Sequence, residues 1–293
     1  VIMVGKNKFS DRLAYGALLF VVWLTRILGV RMTNRLLFPV LYFLVAKKRF
    51  NFMMDNIMQS LPGKSEDEYK VILKNSLRHT LTVMLINIAE KKFYSEFVVK
   101  NEHLIDDIVK NDEKGAIIVT AHYGNWEALS AFFRSKPELT VGAFYNQPAN
   151  RYIDRFLIRM RKIRLYPAGQ GIKKALLKEY KVARRLMTIV VIDQRAKKHG
   201  LKVNLFNRPA SISPVAVKMA LQAQVPIIVV TTPVIDGKTH IHLEKIEINQ
   251  DQNDSLDKAR KVQNALQMVM DRLAAEITCH PEQWMMWSHN FWK

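Results

Sequence analysis

Apolar residues follow two contrasting patterns along the chain. Over 13–24 and again over 36–46 they form nearly unbroken runs, parted by Arg26, Arg31 and Arg35. Each run is shorter than the roughly 20 residues that span a bilayer as a helix, and no signal-peptide cleavage pattern accompanies them. They predict helices lying in a membrane interface or tilted through part of it, with arginines at headgroup level. Lys47, Lys48 and Arg49 then read as a cytoplasmic anchor. A pair of buried helices in a soluble domain is the simpler alternative.

Beyond residue 65 the spacing changes. Ile72, Leu77, Leu81, Leu85 and Ile88 recur at helical intervals within 65–98. Short apolar segments follow at 116–121, 139–145, 188–192, 225–231 and 240–248. Three of them, around Ile117-Ile118-Val119, Ile189-Val190-Val191-Ile192 and Ile227-Ile228-Val229-Val230, are unbroken, as strands covered on both faces should be. Helical stretches at 126–134, 152–163, 172–186 and 214–222 lie between them, and an amphipathic helix covers 255–277. The alternation predicts a layered α/β fold whose sheet is largely parallel or mixed, flanked by helices, with a helical N-terminal extension. The expected division is a membrane-associating segment, 1–50, and a catalytic domain, 51–293. Residues 249–254 read as a polar loop.

Charge narrows the partners. The 293 residues carry 45 Lys and Arg against 26 Asp and Glu, a net charge of +19. Nucleic acid, an acidic protein and an anionic membrane all suit such a chain. The charge is divided, however. Residues 1–50 hold nine Lys or Arg and one acid, Asp11, whereas 151–202 hold sixteen against Asp154, Glu179 and Asp193. Two clusters on different kinds of segment fit two anions better than one nucleic-acid footprint, and no zinc finger, RNP segment or recognition helix accompanies them. The single cysteine, Cys279, excludes an intramolecular disulfide. No P-loop or dinucleotide-binding glycine motif is present. His240, His242 and Glu244 alternate along one predicted strand, a pattern explained without a metal.

One constellation carries chemistry. A strand ending at Thr120 and turning through Gly124-Asn125 into a helix places His122 at the C-terminal rim of the sheet, where ligands of open α/β sheets gather. Histidine there can take a proton from a hydroxyl, and a carboxylate can fix its tautomer and stabilise the imidazolium. Glu127 is the candidate carboxylate, brought near by the turn. The spacing alone is unspecific, because His242 and Glu247 repeat it within a strand.

His122-Tyr-Gly-Asn-Trp-Glu127 resembles the H-x-x-x-x-[DE] motif of glycerolipid and lipid A acyltransferases. Its surroundings are most similar to the bacterial late acyltransferases of lipid A biosynthesis, the lauroyl and myristoyl transferases of the lysophospholipid acyltransferase superfamily. The resemblance extends over most of 10–293 through Asn150-Arg-Tyr-Ile-Asp154, Arg164, Asp193-Gln194, Phe206-Asn-Arg-Pro-Ala210, Pro281-Glu-Gln-Trp284 and Trp287-Ser-His289. It implies an O-acyltransferase that moves an acyl group from an acyl carrier protein thioester to a hydroxyl of a lipid A-type glycolipid, at the cytoplasmic face of a bacterial inner membrane. No cofactor or metal is implied. His122 would be the general base and Glu127 its carboxylate partner. Arg164 would bind phosphate or the developing oxyanion, with Asn125 shaping the turn or donating to that oxyanion. Asp193 would contribute to substrate binding or orient a basic group. The basic stretch 151–202 would dock the acidic carrier, and the N-terminal segment would meet the anionic leaflet.

Departures from the family pattern bear on the substrate. Tyr145-Asn146-Gln147-Pro148 stands where relatives carry Tyr-Arg-Pro, and His289-Asn290-Phe291-Trp292-Lys293 where they close on His-Arg-Arg. Replacing arginine by asparagine removes a charged fork suited to phosphate. Transfer of another carrier-bound group, such as glycyl, is compatible with that loss. A nucleic-acid-binding protein and a silent membrane adaptor are the readings from other classes.

Overall fold

A computed structural model describes residues 9–89, 97–169, 171–248 and 255–292, the side chains of 46, 47 and 255–257 aside. The loop at 249–254, Lys293 and the stretch 90–96 within the predicted helix 65–98 lie outside the described residues.

The two N-terminal apolar runs belong to α1 (Phe9–Ser60), broken at Gly29. There φ 76° and ψ 163° place the backbone in a region open essentially to glycine. The helix continues through position 50. Beyond the break α1 packs antiparallel on α2 (Glu66–Ala89). A capping box starts α2: the Ser65 backbone N–H donates to Glu68 at 2.7 Å and the Glu68 N–H to Ser65 Oγ at 3.3 Å.

The predicted α/β alternation then unfolds. β1 (Phe97–Lys100) and α3 (His103–Lys110) lead to β2 (Gly115–Thr120), α4 (Ala128–Arg134) and β3 (Thr140–Tyr145). α5 (Arg151–Arg161), β4 (Arg164–Pro167), α6 (Ile172–Val182) and β5 (Leu186–Val191) follow. A two-stranded hairpin, β6 (Leu201–Leu205) and β7 (Arg208–Ile212), precedes α7 (Val215–Ala223), β8 (Ile227–Thr231), β9 (Val234–Ile235), β10 (Lys238–Ile246) and α8 (Ser255–Cys279). The main sheet runs β1-β10-β8-β2-β5-β3-β4, with β9 beside β10. It is parallel from β8 to β4 and antiparallel between β10 and β8.

The unbroken apolar runs are the inner strands β2, β5 and β8. Alternate residues of β2 serve opposite cores: Ile117 and Val119 face α1, α2, α7 and α8, while Ala116 and Ile118 pack with Phe132 and Phe133 of α4. Both faces must be apolar because helices cover both. Unforeseen elements are β1, α3, β4, β9 and the β6–β7 hairpin, all eight residues or shorter and therefore weak in periodicity.

Gly115 opens β2 at φ +127°, where an added Cβ would lie 2.0 Å from the Leu186 carbonyl oxygen of the neighbouring strand. Gly115→Ala should therefore destabilise the fold by roughly 2–4 kcal/mol, combining strain and overpacking, as read from the urea midpoint at unchanged m-value.

Candidate active site at the end of the central strand

β2 delivers the chain to the C-terminal rim of the sheet, and His122 follows two residues after its end. The turn reverses through Gly124 at φ +59°, where a Cβ would stand 1.8 Å from the Thr232 carbonyl oxygen. Neighbouring segments fasten it on both sides. The Asn125 N–H donates to Thr232 O at 2.8 Å, and Thr232 Oγ1 donates to Tyr123 O at 2.8 Å. From the C-terminal segment, Gln283 O accepts from the Gly124 N–H at 3.1 Å, and the Met285 N–H donates to His122 O at 3.1 Å. The imidazole thus stands on a backbone held by two separate stretches of chain.

The carboxylate bonded to that imidazole is Asp193. Asp193 Oδ1 lies 2.7 Å from His122 Nδ1, and Oδ2 accepts the His122 backbone N–H and the Trp284 indole N–H, each at 2.8 Å. The Asp193 side chain is 1% exposed and that of His122 15%. A carboxylate can only accept, so Nδ1 carries the hydrogen and Nε2 is the basic nitrogen. Burial pulls the His122 pKa down. The charge and hydrogen bond of Asp193, with a lesser contribution from Glu127, outweigh it against the opposing Arg161, and the imidazole titrates above its ordinary value.

The other expected site residues are placed as follows. Glu127 immediately precedes α4, and its carboxylate is occupied by Arg161, which donates from Nε at 2.9 Å and from Nη2 at 2.5 Å. It acts on His122 through its charge, while the orienting bond comes from Asp193. Asn125 is buried, donating to Thr239 and accepting from Asn87. Its amide is tied between these neighbours and shapes the turn. Arg164 begins β4, opposite Gly142, and its exposed guanidinium pairs with Glu179. Parallel strands place that start away from the rim where His122 stands. The guanidinium beside His122 belongs to Arg161, at the end of α5.

A cavity of about 690 Å³ opens at this rim. His122, Glu127 and Arg161 supply a polar wall, and Leu129, Leu157, Ile163, Val190 and Ile192 an apolar one. His289 also lines it. The Arg195 backbone N–H donates to His289 Nε2 at 3.1 Å, and burial, the leading influence, lowers its pKa. His289 is thereby held neutral with its proton on Nδ1. A larger cavity of about 950 Å³ lies at the opposite end of the sheet, near Glu113 and Pro226, remote from this chemistry. Among the described residues no three His, Cys, Asp or Glu side chains are placed to hold a metal ion.

Arg161, Trp284 and His289 had no role assigned from sequence. Arg161 sits one helical turn from Leu157 on the cavity side of α5, which helical spacing alone would have shown. The contact of Trp284 with Asp193 joins positions 91 residues apart and has no local signal.

Opposite shifts of the His122 pKa are expected from two changes to this cluster. Asp193→Asn leaves burial unopposed by the carboxylate and lowers it below the ordinary value. Trp284→Phe removes one donor, makes the Asp193 carboxylate a better acceptor, and raises it further. NMR titration of the imidazole nitrogens checks both directions.

The family described as bacterial lipid A biosynthesis acyltransferase matches residues 5–293 of the sequence. No curated protein matches it. Spanning essentially the whole chain, the family match extends through the N-terminal helix, the sheet, the His122 turn and the C-terminal segment that fastens it. The chain belongs to the bacterial lipid A biosynthesis acyltransferase family.

Proposed function

We propose that the chain transfers an acyl group from a carrier-protein thioester to a hydroxyl of a lipid A-type acceptor at a membrane surface, with His122 as the general base. The observation that carries this reading is the His122–Asp193 pair, 2.7 Å apart at the wall of a half-apolar cavity. In the neutral imidazole Asp193 holds the proton on Nδ1, which leaves the Nε2 lone pair to act as base, and it stabilises the imidazolium after proton transfer. The acceptor oxygen attacks the thioester carbonyl while its proton passes to Nε2. Collapse of the tetrahedral intermediate breaks the carbon–sulfur bond, and the imidazolium returns the proton to the departing thiolate.

Arg161 supplies positive charge beside the reacting centre. Its Nε and Nη2 are anchored on Glu127, which leaves Nη1 for an oxyanion or an acceptor phosphate at no further ordering cost. The apolar wall suits the transferred chain. An acidic carrier and an anionic leaflet both suit the +19 charge.

Expression in a bacterium lacking one late acyltransferase, followed by lipid A mass spectrometry, tests the reaction and identifies the cargo. The wild-type chain should add a defined mass and His122→Ala should add none; an increment that persists in His122→Ala removes His122 from the role of base. Arg161→Lys, which substitutes one ammonium for a bidentate fork, should lower kcat by about 10- to 100-fold with lesser change in KM. Steady-state kinetics with purified carrier and acceptor in detergent provide that check.

A further inference from the structure

α1 contains a segment, Phe9–Val45, long and apolar enough to cross a bilayer. Its contacts argue against crossing. Asn150 at the start of α5 donates to the Asp11 carbonyl at 2.8 Å, and Tyr152 stacks on Tyr15 with ring centroids 5.6 Å apart. Farther along, Asn34 donates to Arg78 O and Thr82 Oγ1 of α2, at 3.1 and 2.8 Å. Arg49 donates to Ser288 O at 3.0 Å and Asn56 to Trp287 O at 2.9 Å. The folded domain therefore holds α1 at both ends and in the middle. Inserting this helix across the bilayer would carry its polar domain partners into the hydrocarbon, where each unpaired backbone group costs several kcal/mol.

The face turned away from the domain is apolar on both sides of the Gly29 break. Phe9, Leu13, Phe20, Trp23 and Ile27 are exposed before it, and Met32, Leu36, Val40, Phe43 and Leu44 after it. Arg12, Arg26, Arg31 and Arg35 are cations along the same helix. Beside its N-terminal end, α5 presents Arg151, Arg155 and Arg159 at intervals of four residues, one stripe of its surface. Among the described residues none of these three forms an ion pair with a carboxylate.

We propose that α1 lies lengthwise in the surface of an anionic bilayer, and that the α5 arginines form the headgroup-binding border of the same face. The proposal rests on the membrane-surface reading above and deepens it. It divides the basic segment 151–202 between two partners: α5 meets lipid phosphates, and the lysines of α6 remain for an acidic carrier. Because α5 ends in Arg161 at the cavity wall, the same face brings the cavity to headgroup level.

The test uses the full chain and vesicles of phosphatidylcholine, with or without phosphatidylglycerol. Single cysteines at Leu13, Phe20, Ile27, Leu36 and Phe43, in a Cys279→Ser background, carry an environment-sensitive fluorophore quenched by lipids labelled at known depths. All five should sit at one shallow depth, about 5–10 Å below the headgroups. A depth that reaches the bilayer centre midway along the helix and falls toward both ends would mean a crossing helix and would overturn the proposal. Flotation assigns the stripe. R151Q/R155Q/R159Q should weaken binding to phosphatidylglycerol vesicles at least tenfold, with phosphatidylcholine binding retained, at about 1 kcal/mol per cation near the surface. K174Q/K178Q/K181Q on α6, an equal loss of charge, should leave both nearly unchanged; equal losses in the two triple variants sink the α5 assignment. Failure of the unaltered chain to bind either vesicle would instead refute the membrane-surface reading on which the proposal stands.

Discussion

The buried Asp193 carboxylate is the constraint around which the candidate site is built. A charge at 1% exposure is tolerated only when its lone pairs are met by donors. Here three meet them: the His122 backbone N–H, its Nδ1–H and the Trp284 indole. Hydrogen bonds to an ion contribute about 1.5–3 kcal/mol each, so each donor is held firmly where it stands. His122 gains an orientation and a raised pKa. Trp284 ties the C-terminal segment to the rim of the sheet, and that segment in turn pairs with the backbone of the His122 turn on both sides of Tyr123.

From there the constraint reaches the rest of the chain. Ser76 of α2 donates to the Trp284 carbonyl at 2.8 Å, and α1 holds the carbonyls of Trp287 and Ser288 through Asn56 and Arg49. Packing of Trp284, Trp287 and Phe291 against one another buries this segment in the larger of the two cores. Termini far apart in sequence are thus structural parts of one site. A helix read from sequence as a membrane attachment also supports the backbone next to His289 and, two steps further, His122.

Local patterns carried the fold further than the site. Strands covered on both faces announce themselves as apolar runs, and the Ser65–Glu68 box and the His122 turn are readable within a few residues. The elements that escaped notice, such as α3 and the β6–β7 hairpin, are short, and their burial is decided by neighbours distant in sequence. The same reason governs the carboxylates. Glu127 is near His122 in sequence and invites pairing, but α5 places Arg161 against it, whereas Asp193 arrives from the end of β5, the strand adjacent to β2. Arg161 and Arg164 differ in the same way. They stand three positions apart, yet one ends a helix at the cavity and the other begins a strand at the far side. The +19 charge, undivided, says only that some partner is anionic; once α5 and α6 are set in place, it resolves into separate surfaces.

The pH dependence of kcat/KM in three proteins tests the central claim, that Asp193 and His122 together form the base. For the unaltered chain the acid limb should fall above the ordinary histidine pKa of about 6.5, because activity requires the neutral imidazole and Asp193 holds its pKa up. Asp193→Asn should move that limb to lower pH and depress the plateau by about 10²- to 10⁴-fold. Glu127→Gln, which removes a charge that is not bonded to the imidazole, should move the limb less while lowering kcat through Arg161. A limb that follows Glu127→Gln and ignores Asp193→Asn would contradict the assignment.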